Sequence, residues 1–356
     1  MKKGKLTLAH FAQELQRQNE SKRDFIVDTR SMGFSVYDDG ETTVTIMPPT
    51  GGTPYKYEMT DLFHRQMGAS LGIPAKYYDK MKQDYPDLLA QNINGWFQQT
   101  PSKHTIRTMD NTARAFLSDR YRRIDNFDVA TATLPVIGEM PDAQIESCEI
   151  TPNRMYIKVV NPRLEADVVP GDTVQAGIVI SNSEVGLGSV TVMPLLYRLV
   201  CKNGMIINEL GQRKYHIGRE NEESYELYSD RTLEADDAAF MLKLQDIVRT
   251  AVDEAKFGMV IDKLRETTQI KITGDIPKVV ELTAKQYGFN QNEQSGILKH
   301  LIEGGDLSLY GLSSAVTRAS QDVDDYDRAT ALESAGWQIV TISPDIWHGV
   351  NNGVIS

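Results

Sequence analysis

Val174-Gln175-Ala176-Gly177-Ile178-Val179-Ile180 runs directly into Ser181-Asn182-Ser183-Glu184-Val185-Gly186-Leu187-Gly188-Ser189. The first half is apolar at almost every position, short and rich in β-branched residues. That pattern fits a strand covered on both faces better than a helix. The second half carries two glycines and several side chains that hydrogen-bond to nearby backbone, the composition of a structured loop. The chain therefore contains a covered β-sheet, and its neighbours in sequence extend it.

Strand patterns precede it at His104–Thr108, Ala113–Leu117, 144–150 and 154–160, and follow it at Val190–Met193 and Tyr197–Val200. Cys201–Met205 reads as a tight turn, with Asn203-Gly204 fitting type I′ geometry. Closer to the start, residues 5–20 read as an amphipathic helix on Leu8, Phe11 and Leu15. Residues 24–47 read as strands broken by the Asp38-Asp39-Gly40 turn, and Met47–Pro54 as a loop. Apolar residues at helical spacing mark helices across 60–99, with breaks at Pro74 and Pro86, and another over Val129–Ile137. Residues 216–235 are polar and acidic, as in a linker or loop. Beyond them the pattern is helical over 233–267, 276–303 and 308–332, with Gly336-Trp337-Gln338-Ile339-Val340 as a possible closing strand. The expected fold is α+β: a mixed, largely antiparallel sheet body with packed helices over 1–215, then a mainly helical part over 236–356.

The 356 residues suffice for two domains, and 40% are hydrophobic. The formal charge of −11 argues against a general nucleic-acid coat but leaves room for a local basic groove. Two cysteines, Cys148 and Cys201, make no disulfide framework, and the six histidines show no ligand spacing. No metal or cofactor is expected. With no signal-like segment and no apolar run near the ~20 residues of a membrane span, a soluble cytoplasmic protein without a membrane partner is expected.

One stretch stands out against the acidic background: Arg114-Ala-Phe-Leu-Ser-Asp-Arg120-Tyr121-Arg122-Arg123-Ile-Asp-Asn-Phe-Asp128. Guanidinium groups interleaved with aromatic rings suit a phosphate backbone with stacked bases. They equally suit ion pairs with Asp119, Asp125 and Asp128. If the stretch is a strand, Arg120 and Arg122 share one face as a phosphate clamp, and Tyr121 and Arg123 share the other. Arg198 and Lys202 form a second basic cluster with Arg213 and Lys214. The loop with Asn182, Ser183, Glu184, Gly186 and Gly188 reads either as a connection or as a ligand-facing loop, and it lacks the lysine of a P-loop. Cys201, on an apolar strand with no histidine nearby in sequence, reads as an inert thiol.

Arg114–Val129, Gly177–Ser189 and Arg198–Met205, in that order, resemble the phage/plasmid-like protein family, a domain of unknown function. Leu71–Tyr78 and Leu312–Thr317 fit the same pattern, although Ser314 stands where the family carries asparagine. The resemblance spans about residues 60–340. It implies a phage, prophage or plasmid context and transfers no catalytic residue. Two functions are expected from it. The first is a non-enzymatic DNA-binding protein, for single-stranded or duplex DNA in recombination or replication, possible as a homo-oligomer. It would use Arg114, Arg120, Arg122, Arg123, Arg198 and Lys202 on phosphates and Tyr121 for stacking. The second is an enzyme or anti-defence factor binding a nucleotide or small ligand at the 181–189 loop.

Overall fold

A computed structural model describes residues 1–37, 40–48, 51–208, 230–251 and 254–353. The protein is α+β, with two mostly antiparallel sheets followed by a helical C-terminal part. The first body comprises α1 (Leu8–Ser21), β1 (Lys22–Asp28), β2 (Met32–Val36), β3 (Thr42–Ile46), β4 (Tyr55–Met59), α2 (Asp61–Ser70), α3 (Ala75–Asp84), α4 (Pro86–Gln99), β5 (Lys103–Met109) and β6 (Thr112–Ser118). The strands form a sheet in the order β1-β5-β6-β4-β3-β2, in which only β4 and β6 run parallel. That parallel pairing lasts for two residue pairs, Glu58↔Thr112 and Met59↔Ala113. The sheet curls there, so that the Phe25 ring lies 5.4 Å from Tyr55 and 6.0 Å from Tyr57 across two intervening strands. Helices α2–α4 cover one face, burying Phe63, Met67, Leu89, Ile93 and Phe97 against Phe34, Val44, Ile106 and Phe116.

The second body follows as α5 (Asn126–Glu139), β7 (Gln144–Ile150), β8 (Met155–Asp167), β9 (Thr173–Asn182), β10 (Thr191–Arg198) and β11 (Asn203–Ile206). Its five strands form an antiparallel sheet in the order β11-β10-β9-β8-β7. The apolar run at 174–180 is β9, the central strand, buried on both faces because helices lie on each side. Ile178 and Ile180 point with Ile157 and Val192 toward Phe11 and Leu15 of α1, α5 and Phe240. Val179 points the opposite way with Val160 and Leu195, toward Tyr326.

The C-terminal part contains α6 (Asp230–Thr250), α7 (Glu254–Gln269), α8 (Ile276–Tyr287), α9 (Gln291–Gly304), α10 (Leu309–Ala319), α11 (Tyr326–Val340) and α12 (Pro344–Asn351). Its boundaries follow local chemistry. Asp275 caps α8 and Gly288 ends it at φ 67°, while Asn290 and Glu293 form a reciprocal capping box for α9. Helices α8 to α12 bury Leu301, Leu312, Val316, Leu332 and Ile339 in a core of their own.

Four expectations need correction. Gly336–Val340 is the end of α11 rather than a strand, because Trp337 and Val340 fall on the helical face that packs on Val260 and Met205. The long helix expected over 233–267 is two helices, α6 and α7. The turn expected at Asn203-Gly204 lies earlier, over 199–202, with Lys202 at φ 54°; Asn203 and Gly204 already pair with Arg198 and Tyr197 in β11. Strand β6 ends at Ser118, so residues 119–125 are irregular and the two-residue alternation expected for Arg120–Arg123 does not apply. The turn at Asp38-Asp39, the cluster members Arg213 and Lys214, and residues 216–229 of the acidic stretch lie outside the described residues.

Candidate nucleic-acid interface and the polar hub beneath it

The two sheets meet at an ion-paired hub whose centre the sequence motifs leave out. Arg107 on β5 is 2% exposed. Its guanidinium takes both carboxylate oxygens of Asp24 on β1, at 3.0 and 3.1 Å, and Asp125 at 2.5 Å. A further N–H donates to the Glu184 carbonyl at 2.9 Å. Lys22 pairs with the other Asp125 oxygen. Burial alone would raise the Asp125 pKa, but the Arg107 charge and the hydrogen bonds from Arg107 and Lys22 outweigh it and hold it below the usual range. Neighbouring Asp128 is pushed up, first by burial and then by the charge of Asp125.

The 181–189 loop is clamped into this hub. The Glu184 carboxylate accepts from Arg114 at 3.0 Å and from the backbone N–H of Asn126 at 2.7 Å. That amide opens α5, where a negative charge suits the unpaired N–H groups of a helix start. Asn182 donates to the Ile124 carbonyl and to the Asn126 side chain, and the Ser183 hydroxyl donates to the Asn153 carbonyl. Gln66 on α2 donates to the Val185 carbonyl and accepts from the Phe116 N–H, tying the loop to the first sheet. Gly186 has φ +81°, and a Cβ there would sit 2.5 Å from Leu117. Gly188 lies against the Arg154 guanidinium. Asn182, Ser183 and Glu184 are therefore buried side chains with partners inside the protein.

The arginine-rich stretch divides along the same line. The Arg122 side chain is 6% exposed, paired with Asp236 at 2.9 Å and with Asp237, and lies over the Phe240 ring. Tyr121, expected as a stacking platform, is packed with Leu117 and Val185, and its hydroxyl donates to the Ser183 carbonyl at 3.1 Å. Arg120 and Arg123 are exposed; Arg123 keeps only a loose 3.7 Å approach to Asp24.

Arg198 and Lys202 are not brought to this place. Arg198 opposes Val174 at one end of β9, whereas Asn182 at the other end touches Ile124. Eight residues of strand separate them, about 26 Å. The Arg198 guanidinium is moreover spent on Asp172, at 2.5 and 2.6 Å, and stacks on Tyr310, which also donates to Asp172. Lys202 is exposed in its turn.

The sequence motifs missed Arg107 and Asp24. A signal existed: Arg107 sits between Thr105-Ile106 and Thr108-Met109 in the run of β5, where a guanidinium covered by the sheet needs a buried partner. Among the described residues no group of three or more His, Cys, Asp and Glu side chains is placed to hold a metal, and no helix is long and apolar enough to cross a membrane.

The fold and the hub define an α+β protein whose two sheets are joined by a buried arginine network. Residues 113–223 match the family model described as Domain of unknown function (DUF932), a span that contains the arginine-rich segment, the clamped loop and β7–β11. No curated protein and no solved structure matches the chain.

Proposed function

We propose that this protein binds nucleic acid without catalysing a reaction, with single-stranded DNA of a phage or other mobile element as its partner in recombination or replication. The observation that carries the reading is the division among the arginines in and around residues 119–125. Arg107, Arg114 and Arg122 are paired with carboxylates and anchor the segment to the hub and to α6, while the Arg120 and Arg123 side chains lie at its exposed surface. Guanidinium groups at an exposed surface can meet phosphates with paired N–H donors, which suits them as backbone contacts. The mobile-element context rests on the sequence resemblance, and assembly of several copies along one strand belongs to the same proposal.

The ligand-loop alternative is weaker, because the Asn182 amide nitrogen, the Ser183 hydroxyl and the Glu184 carboxylate are bonded inside the protein, and the unbonded Asn182 Oδ1 is sealed from solvent.

Fluorescence anisotropy with a labelled single-stranded oligonucleotide tests the proposal. Binding should weaken steeply with salt, and Arg120→Ala with Arg123→Ala should lower the slope of log K against log salt by about 1.4. Absence of binding at low salt removes the proposal.

A further inference from the structure

A cleft of about 520 Å³ lies where α1, the β5–β6 turn, the start of α2 and the β7–β8 turn converge. The size suits a small organic molecule. Its charged floor is Arg114, whose side chain is only 11% exposed. One guanidinium nitrogen, Nη1, bonds Glu184 at 3.0 Å and approaches the Met109 sulfur at 3.7 Å. The Nε and Nη2 groups have no protein acceptor among the described residues, and neither is sealed from solvent. A guanidinium edge with two open N–H groups matches the paired oxygens of a phosphate or carboxylate.

A second observation comes from the wall. The Gln18 side chain donates to Glu14 at 2.8 Å, which fixes the orientation of its amide. Its Oε1 is then buried without a hydrogen-bond donor, and Gln18 lines this cleft. That oxygen is sealed from solvent, so it lies behind the wall and offers no contact to the cleft. The Glu14 carboxylate is also held by Arg17, which reaches across to Asp110 at 3.1 Å and closes the rim. Leu62 and Ile150 add apolar wall.

We propose that this cleft is a binding site for a small molecule that carries an anionic oxygen group. The anionic group, phosphate or carboxylate, sits on the open edge of Arg114. The site is separate from the exposed Arg120 and Arg123, and no bond is made or broken in it.

Three probes at matched ionic strength test it: inorganic phosphate, adenosine 5′-monophosphate and succinate, each at about 10 mM, a concentration at which a submillimolar ligand stabilises measurably. At least one should raise the Tm by about 2 °C or more. The phosphate and succinate arms distinguish the two sources of anion. Calorimetric titration should give a saturable isotherm for the active probe. Arg114→Lys keeps a charge beside Glu184 and should abolish binding, whereas Arg120→Ala with Arg123→Ala should leave it unchanged. The proposal is overturned if no probe shifts the Tm, or if the shift survives Arg114→Lys.

Discussion

Lys158 Nζ and Glu333 Oε2 face each other at 2.7 Å, and neither side chain has any exposure to solvent. Lys158 sits in the middle of β8 and also donates to Thr330 at 3.1 Å, with the Tyr326 ring 4.5 Å away. Glu333, Thr330 and Tyr326 all belong to α11. The pair thus fixes the register of that helix on the second sheet. Burial holds the Lys158 pKa below its ordinary value, since the low-dielectric surroundings disfavour the ammonium.

Removing one partner of such a pair strands a charge, whereas removing both does not. Glu333→Leu should therefore cost about 3–5 kcal/mol in urea denaturation, and Lys158→Met with Glu333→Leu should recover most or all of it. A double variant as unstable as the single one would mean that the pair, not the stranded charge, supplies the stability.

Acid sensitivity has a clear source in the first body. His64 is 3% exposed, with its ring nitrogens 2.8 Å from the Thr42 hydroxyl and 2.7 Å from that of Tyr78. Burial, then the charge of Lys82, lowers its pKa from 6.5 to about 4. Between those values the unfolded chain binds the proton that the folded imidazole refuses. Stability should therefore fall as the pH drops from about 6.5 to 4, by up to about 3 kcal/mol from this group. Below that range the contribution is flat. His64→Gln removes the titration, so its stability gap to the parent should shrink over the same pH interval.

Gly186 supplies a local test of the clamped loop. Its φ of +81° is strained for any residue with a Cβ, and the added carbon would meet Leu117 on β6. Gly186→Ala should cost about 2–4 kcal/mol from strain and overpacking together. Adding Leu117→Ala relieves only the packing part. The double variant should then fall short of the sum of the two single costs, as a thermal-denaturation cycle would reveal.

The outline of this fold is legible in residue patterns, and the hub is not. The apolar run at 174–180 predicts the central strand because burial on both faces removes the alternation of a half-exposed strand. Proline and glycine punctuation places α3, α4 and α8. Gly336–Val340 misleads because so short a segment, apolar or small except for Gln338, fits either period, and only packing on Val260 and Met205 selects the helix. The arginines of 114–123 look alike in sequence. Whether each meets a carboxylate depends on partners as distant as Asp237 and Glu184, which no local pattern encodes. Arg107 and Asp24 are 83 residues apart and become neighbours only through the pairing of β1 with β5.

That distant pairing leads to a prediction linking the hub to the exposed arginines. Arg107 satisfies two carboxylates and a carbonyl with one planar fork, a geometry a lysine cannot reproduce. Arg107→Lys should destabilise the protein by about 3 kcal/mol or more despite keeping the charge, since Asp24 and Asp125 lose directed bonds while remaining largely buried. Asp24→Asn is milder, because Arg107 retains Asp125. It also removes the negative charge 3.7 Å from Arg123. A loose pair of this kind, exposed at its Arg123 end, is worth about 0.2–1 kcal/mol, so Asp24→Asn should tighten single-stranded DNA binding by no more than about fivefold, provided the protein stays folded. Weaker binding by the folded Asp24→Asn protein would show that Arg123 needs its carboxylate for orientation and is not a freely available phosphate contact.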